Sequence, residues 1–168
     1  MLCSYDFQRI YLPYENCSYY EQHYEYRYNS IYDISDQPVF IIEGEIPCYK
    51  LYEDDDVLAF LDISQVTKGH ALVVSKKHYE NFLTIPQEEM HKVMDVAQRI
   101  GQVAIKYLGA KGVNILSNCY EAAGQTVMHF HVHVIPRYEN KEGFILEMKS
   151  NQGDLNLPAL AKEITKKL

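Results

Sequence analysis

The sequence predicts an α+β domain: a mostly antiparallel sheet of about five strands, one long helix and short flanking helices. Three observations carry this. Short runs rich in β-branched and aromatic residues recur between Cys48 and Pro136. One long stretch, Pro86–Leu108, has apolar residues at helical spacing. Short polar links join the early strands, and such links make hairpins, hence antiparallel pairs.

Each element has a local reason. Val39–Gly44 reads as a short helix or turn, with Gly44 a natural C-cap. Cys48–Glu53 reads as a strand, Asp54–Asp56 as a polar turn, and Val57–Asp62 as the returning strand. Gln65–Gly69 is a loop and His70–Ser75 a third strand. Thr84-Ile-Pro-Gln87 predicts a helix start, with Thr84 as N-cap, Pro86 in the first turn and Gln87 completing a capping box. Met90, Val93, Met94, Ala97, Ile100, Ala104 and Leu108 then mark one apolar face, and Gly109 or Gly112 ends the helix. Val113–Asn118 is a fourth strand, Cys119–Gly124 a loop of small residues, and Thr126–Pro136 a fifth strand. Pro158–Leu168 closes the chain as a short helix.

The texture divides the chain in three. Residues 1–34 hold nine of the fifteen tyrosines, with no helical or strand period and no glycine. They read as an accessory extension of unknown role, a tyrosine-rich docking surface being the sharper alternative. Residues 35–143 read as the domain, and 144–168 as a tail carrying the last helix. With 47% hydrophobic residues the chain can bury a real core. A formal charge of -7 excludes polymeric nucleic acid and anionic membrane as default partners, since both call for a basic surface. The four cysteines form no C-x-x-C pair, the first residues lack a signal-peptide pattern, and no apolar run approaches the ~20 residues of a membrane span. A reducing, cytoplasmic setting is expected.

The informative stretch is Met128-His-Phe-His-Val-His-Val-Ile-Pro-Arg137. His129, His131 and His133 alternate with Phe130, Val132 and Val134, so a strand would put the three imidazoles on one face. Burying three imidazoles to no purpose is costly, since each unmet ring nitrogen costs about 1–3 kcal/mol. A shared metal ion fits poorly. At about 3.3 Å per residue the outer two histidines stand roughly 13 Å apart, against a zinc–nitrogen bond of about 2.0–2.1 Å. A row of imidazoles along an elongated anion fits better. Near neutral pH one ring can be an uncharged nucleophile while another donates a proton or a hydrogen bond, the mixture that phosphoryl or nucleotidyl transfer needs.

His129-Phe-His-Val-His-Val-Ile135 resembles the His-φ-His-φ-His-φ-φ motif (φ apolar) of the histidine triad (HIT) family. Ile42–Pro47, Tyr52–Ser64, Gly69-His70, Lys76-Lys-His78 and Gly124–Val127 resemble further family segments in the family's order, and Asn118 stands eleven residues before the triad. The resemblance covers about Asp36 to Gly143 and is strongest to the bacterial histidine-triad nucleotide-binding branch. It implies a HIT-like fold and a hydrolase or transferase that cleaves purine nucleoside 5'-monophosphate conjugates, phosphoramidates above all. His131 would be the nucleophile and would form a nucleotidyl-histidine intermediate. His129 would orient it, and His133 and His70 would contact phosphate and support it. Asp62 would hold the ribose hydroxyls, Ile41, Phe60 and Ile63 would line the base pocket, and Asn118, Gln125 and Thr126 would lie near the phosphate and leaving group. No cofactor and no metal are implied, and a homodimer is.

The departures from the family pattern are specific. Many bacterial relatives carry a zinc-binding Cys-x-x-Cys where this chain has Asp36 and Val39, so that zinc site is expected to be absent. Pro38 replaces a frequent aromatic beside the base, Thr126 a commoner serine and Ser75 a usual proline. Two alternatives stay open. Val134–Arg137 and Gly124–Val127 also resemble the dinucleoside polyphosphate hydrolases, with Arg137 available for extra phosphates. A non-catalytic nucleotide-binding regulatory module is the other.

Overall fold

The computed structural model describes residues 37–139 and 156–168, with three isolated positions (143, 145 and 148) between them. The tyrosine-rich stretch 1–34 lies outside the described residues. The elements are α1 (Gln37–Ile42), β1 (Tyr49–Glu53), β2 (Val57–Leu61), β3 (Ala71–Ser75), α2 (Gln87–Leu108), β4 (Gly112–Leu116), β5 (His131–Arg137) and α3 (Leu157–Thr165). The five strands form one antiparallel sheet in the order β1-β2-β3-β5-β4, as the sequence predicts.

Alternation along the strands divides the sheet into two faces. Val57 and Ala59 of β2, Ala71 and Val73 of β3, and Val132 and Val134 of β5 point to one side. There they pack with Phe130 and with Val93, Val96 and Ala97 of α2 in the main core. Leu58, Phe60 and Val74 point to the other side and meet Ile41, Ile42, Cys48 and Leu72 in a smaller cluster. The pairing register carries this second face across the sheet. Phe60 lies opposite Leu72, and Leu72 opposite His133; Leu58 lies opposite Val74, and Val74 opposite His131. The apolar cluster and the two imidazoles therefore form adjoining halves of one face.

The hairpin between β1 and β2 is tied by Asp54, whose Oδ1 accepts from the amides of Asp56 (2.9 Å) and Val57 (2.7 Å). The start of α2 differs from expectation. Pro86 occupies the N-cap position and offers no side-chain cap. Thr84 is instead drawn into a turn with Asn81: its Oγ1 accepts from the Asn81 amide and donates to the Asn81 carbonyl, both at 3.1 Å. The helix ends at Gly109, which takes the left-handed conformation (φ 77) that closes a helix at least cost in glycine. The buried face of α2 also differs. Val96 and Gly101 are buried, whereas Met94 and Leu108 are exposed. The closeness of β4 explains Gly101, since a Cβ there would sit 3.7 Å from Val113.

Phe130 is fully buried at the centre of the main core. Phe130→Ala is expected to lower the unfolding free energy by about 3–5 kcal/mol, read as a shift in the midpoint of urea denaturation.

Candidate active site

The fifth strand begins later than the sequence suggests, at His131 rather than Thr126. The three imidazoles are consequently not one row. His131 and His133 stand on the strand, half-buried, their rings edge to face with centroids 5.1 Å apart. His129 precedes the strand and is sealed from solvent. Its Nε2 lies 2.7 Å from the carbonyl of Ser75. A carbonyl can only accept, so Nε2 carries the proton and Nδ1 the lone pair. That Nδ1 lies 3.3 Å from Nδ1 of His78, which must then be the donor. His78 belongs to the Lys76-Lys-His78 segment, yet no local pattern sets it beside His129, because the pairing is made by tertiary packing.

His131 is held by its own backbone. Its Nδ1 lies 2.7 Å from the carbonyl of His129, so Nδ1 is protonated and Nε2 holds the lone pair. The hydroxyl of Ser117 donates to the His131 carbonyl at 2.8 Å and anchors this end of β5 to the chain leaving β4. Burial pushes the His131 pKa below its usual value, partly offset by the His129 carbonyl and by the charge of Asp62. His131 is thus an uncharged imidazole of fixed tautomer, with an available ring nitrogen.

A second chain of groups lies beside it. Nε2 of His70 and Nδ1 of His133 are 3.0 Å apart, their rings stacked at 5.2 Å. Nδ1 of His70 is buried and faces Oδ2 of Asp62 at 3.5 Å, too long for a full hydrogen bond and linked by charge attraction. The carboxylate favours a proton on Nδ1 of His70, so Nε2 of His70 accepts from Nδ1–H of His133. Burial lowers the pKa of His70, opposed by Asp62. Burial, then the neighbouring His131 and His70, push His133 down to about 4. One donor atom each from Asp62, His70 and His133 lies within 4.8 Å of the others, a set that could accept a divalent ion.

The other expected site residues have their own settings. Ile41 and Phe60 share the smaller apolar cluster, and Ile63 is exposed (62%) one residue beyond Asp62. Nδ2 of Asn118 donates to the Gly124 carbonyl at 3.2 Å and closes the loop before the triad. Gln125 is buried and its amide is committed to that loop. It donates to the carbonyls of Glu80 (2.7 Å) and Val127 (2.9 Å) and accepts from the Tyr120 amide (2.7 Å). Thr126 is exposed beside it. Tyr120 has a positive φ of 66, unusual for a side chain of its size and a mark of a tightly determined loop.

These lowered histidine pKa values set a pH dependence. A histidine whose folded pKa lies below its unfolded value of 6.5 is neutral when folded and takes up a proton on unfolding. Its stabilising contribution is complete above pH 6.5 and is lost as the pH falls toward about 4. Unfolding free energies measured by urea titration are expected to decline across this window, and less steeply in His133→Gln.

The HIT domain profile matches residues 43–140. "Protein hit" of Bacillus subtilis is 42% identical over 131 residues, 76% of this chain and 90% of that protein. The crystal structure of a HIT family protein from Bacillus anthracis superposes with a TM-score of 0.72 at 43% identity, covering 77% of this chain and 94% of its own. Adenylylsulfatase HINT3 of Arabidopsis thaliana is 39% identical over 99 residues, 59% of this chain and 50% of that protein. A profile that spans more than half the chain, and the two Bacillus relatives aligned across nearly their whole length, agree with the paired imidazoles of β5: this chain belongs to the HIT domain family.

Proposed function

We propose that the protein cleaves purine nucleoside 5'-monophosphate conjugates of the phosphoramidate type through a nucleotidyl-His131 intermediate. The observation that carries this reading is the 2.7 Å contact between His131 Nδ1 and the His129 carbonyl. It holds the ring in the tautomer whose Nε2 can attack, and burial keeps that ring uncharged. In the first step Nε2 bonds to the α-phosphorus, the phosphorus–nitrogen bond of the conjugate breaks, and the amine leaves with a proton taken from solvent. In the second, water bonds to phosphorus and gives up a proton to solvent, the bond to Nε2 breaks, and the monophosphate departs with the imidazole restored.

The surrounding groups have matching parts. His133 lies beside the nucleophile to contact phosphate, its ring held by His70 and through it by Asp62, and His129 steadies the nucleophile through its carbonyl, itself pinned by the ring's bonds to Ser75 and His78. Asp62 receives the ribose hydroxyls, and Ile41, Phe60 and Ile63 form the apolar bed for the base. Asn118, Gln125 and Thr126 define the loop over the phosphate and leaving group. The HINT3 relative's name supports the class, because an adenylyl sulfate is itself a nucleoside monophosphate conjugate. Dinucleoside polyphosphates share the same α-phosphorus chemistry and are the comparison substrate. The cytoplasmic setting accords with the free thiols of Cys48 and Cys119, and no described helix is long and apolar enough to cross a membrane.

The homodimer also has a surface to use. Ala97, Gly101 and Ile105 of α2 and Val113 and Ile115 of β4 line one apolar groove, and Ile105 and Ile115 are exposed. β4 is an edge of the sheet, so a second copy could bury this groove and extend the sheet.

Two tests follow. His131→Ala is expected to reduce turnover of adenosine 5'-phosphoramidate by more than about a thousandfold while adenosine monophosphate still binds by calorimetry. Quick-quench mass spectrometry of the unaltered protein should find an adenylyl adduct on His131; full activity in the variant would remove the nucleophile assignment. Diadenosine polyphosphate assayed alongside ranks the substrate classes, and turnover of neither class with nucleotide binding intact would favour a regulatory module. Ile115→Arg is expected to yield monomers by sedimentation analysis, and an unchanged dimer would place the interface elsewhere.

A further inference from the structure

We infer that Gln65 is a specificity-determining positioning residue: it fixes the carboxylate of Asp62 and so sets preference for ribose over 2'-deoxyribose. The inference rests on the nucleotide reading above. It starts from the loop that joins β2 to β3. That loop begins at Asp62 and ends at His70, so its two ends are the residues that face each other at 3.5 Å. Backbone pairing holds the ends together, the Asp62 amide donating to the His70 carbonyl at 3.0 Å. Between them the chain is largely exposed and contributes little core.

The side-chain amide of Gln65 closes this loop from within. Its Nε2 donates to the carbonyls of Asp62 and His70, each at 2.6 Å. Its Oε1 accepts from the amides of Gly69 (2.7 Å) and His70 (3.1 Å). Two N–H groups and two lone pairs are all such an amide possesses, and all four are used. One side chain thus clasps the carboxylate-bearing residue to the imidazole-bearing one. Gly69 supplies the left-handed turn (φ +84) that aims its amide at Gln65. The far side of the loop is moored separately, by the Thr67 hydroxyl donating to the Pro136 carbonyl at 2.6 Å and by the Tyr138 hydroxyl donating to Lys68 at 2.9 Å. These moorings hold the middle of the loop, while Gln65 holds its ends.

The Asp62 carboxylate is oriented by its own neighbours. Oδ1 accepts from the Ser64 amide at 2.7 Å, and Oδ2 faces His70. Both contacts depend on the backbone that Gln65 clasps. Loosening it leaves the carboxylate present but imprecisely placed. The contribution that distinguishes the sugars is then the one lost, while the His131 ring stays held by the His129 carbonyl. A residue that merely strengthened the loop would change stability and treat both sugars alike.

The experiment measures kcat and KM for adenosine 5'-phosphoramidate and its 2'-deoxy counterpart in wild type, Gln65→Ala, Gln65→Glu and Asp62→Asn. Gln65→Glu keeps the size of the side chain but loses both donors. Gln65 is exposed, so neither change opens the core; thermal melting confirms folding. The ratio of kcat/KM for ribose over deoxyribose is expected to fall about tenfold in both Gln65 variants, as a directed hydrogen bond is lost. The loss should appear chiefly in KM for the ribose substrate and approach the ratio of Asp62→Asn; any fall in kcat through the Asp62–His70 contact is shared by both sugars and leaves the ratio unmoved. A wild-type ratio in both folded Gln65 variants would overturn the inference even if their melting temperatures fell. So would a wild type that does not discriminate. Turnover of neither substrate by wild type would instead remove the nucleotide reading, and this inference with it.

Discussion

The burial of Val132 and Val134 beneath α2 is the constraint on which the site depends. Both are almost fully enclosed, and strand geometry then leaves no choice for their neighbours: His131 and His133 must stand on the opposite face. A slip of one residue would send two imidazoles into an apolar core and bring two valines out to the site. The pairing with β3 multiplies the effect. Because Leu72 lies opposite His133 and Val74 opposite His131, the same register sets the apolar cluster of Phe60 and Ile41 beside the histidines.

Much of this could be read from the chain before the structure. The five strands, the long helix and its end at Gly109 or Gly112 follow from periodicity and capping, because each is decided within a few neighbouring residues; the structure selects Gly109. The face carrying His131 and His133 follows from alternation alone. Other features are decided at a distance. Thr84 looks like an N-cap, but Asn81, itself buried, takes its hydroxyl into a turn. Helical spacing favoured Met94, but Val96 joins the main core and Gly101 is covered by Val113 of β4. His129 looked like a third member of the strand. Its bonds to Ser75 and His78 draw it below the surface before pairing begins, and no local pattern announces a contact fifty-four residues away in sequence.

The histidines therefore serve in two separate chains of groups. His78 and His129 lead to the Ser75 carbonyl, and the product of that chain is a fixed backbone carbonyl at residue 129. Asp62, His70 and His133 make the other, and its product is an imidazole pair of defined tautomer. His131 receives from both, through the His129 carbonyl on one side and the edge of His133 on the other. Gln65, which no motif singles out, stands at the origin of the second chain.

A protein of formal charge -7 that handles an anionic ligand must solve an electrostatic problem. Charged histidines would solve it by attraction, but they would also protonate the nitrogen that has to attack. The lowered pKa values of His70, His131 and His133 point to the other solution. Near neutral pH the imidazoles carry no charge, and the N–H of each is committed within the protein: His70 to Asp62, His131 to the His129 carbonyl and His133 to His70. Those commitments leave the lone pair of His131 on Nε2. The same burial that makes a neutral imidazole inexpensive thus keeps His131 nucleophilic, with no proton to lose before it attacks.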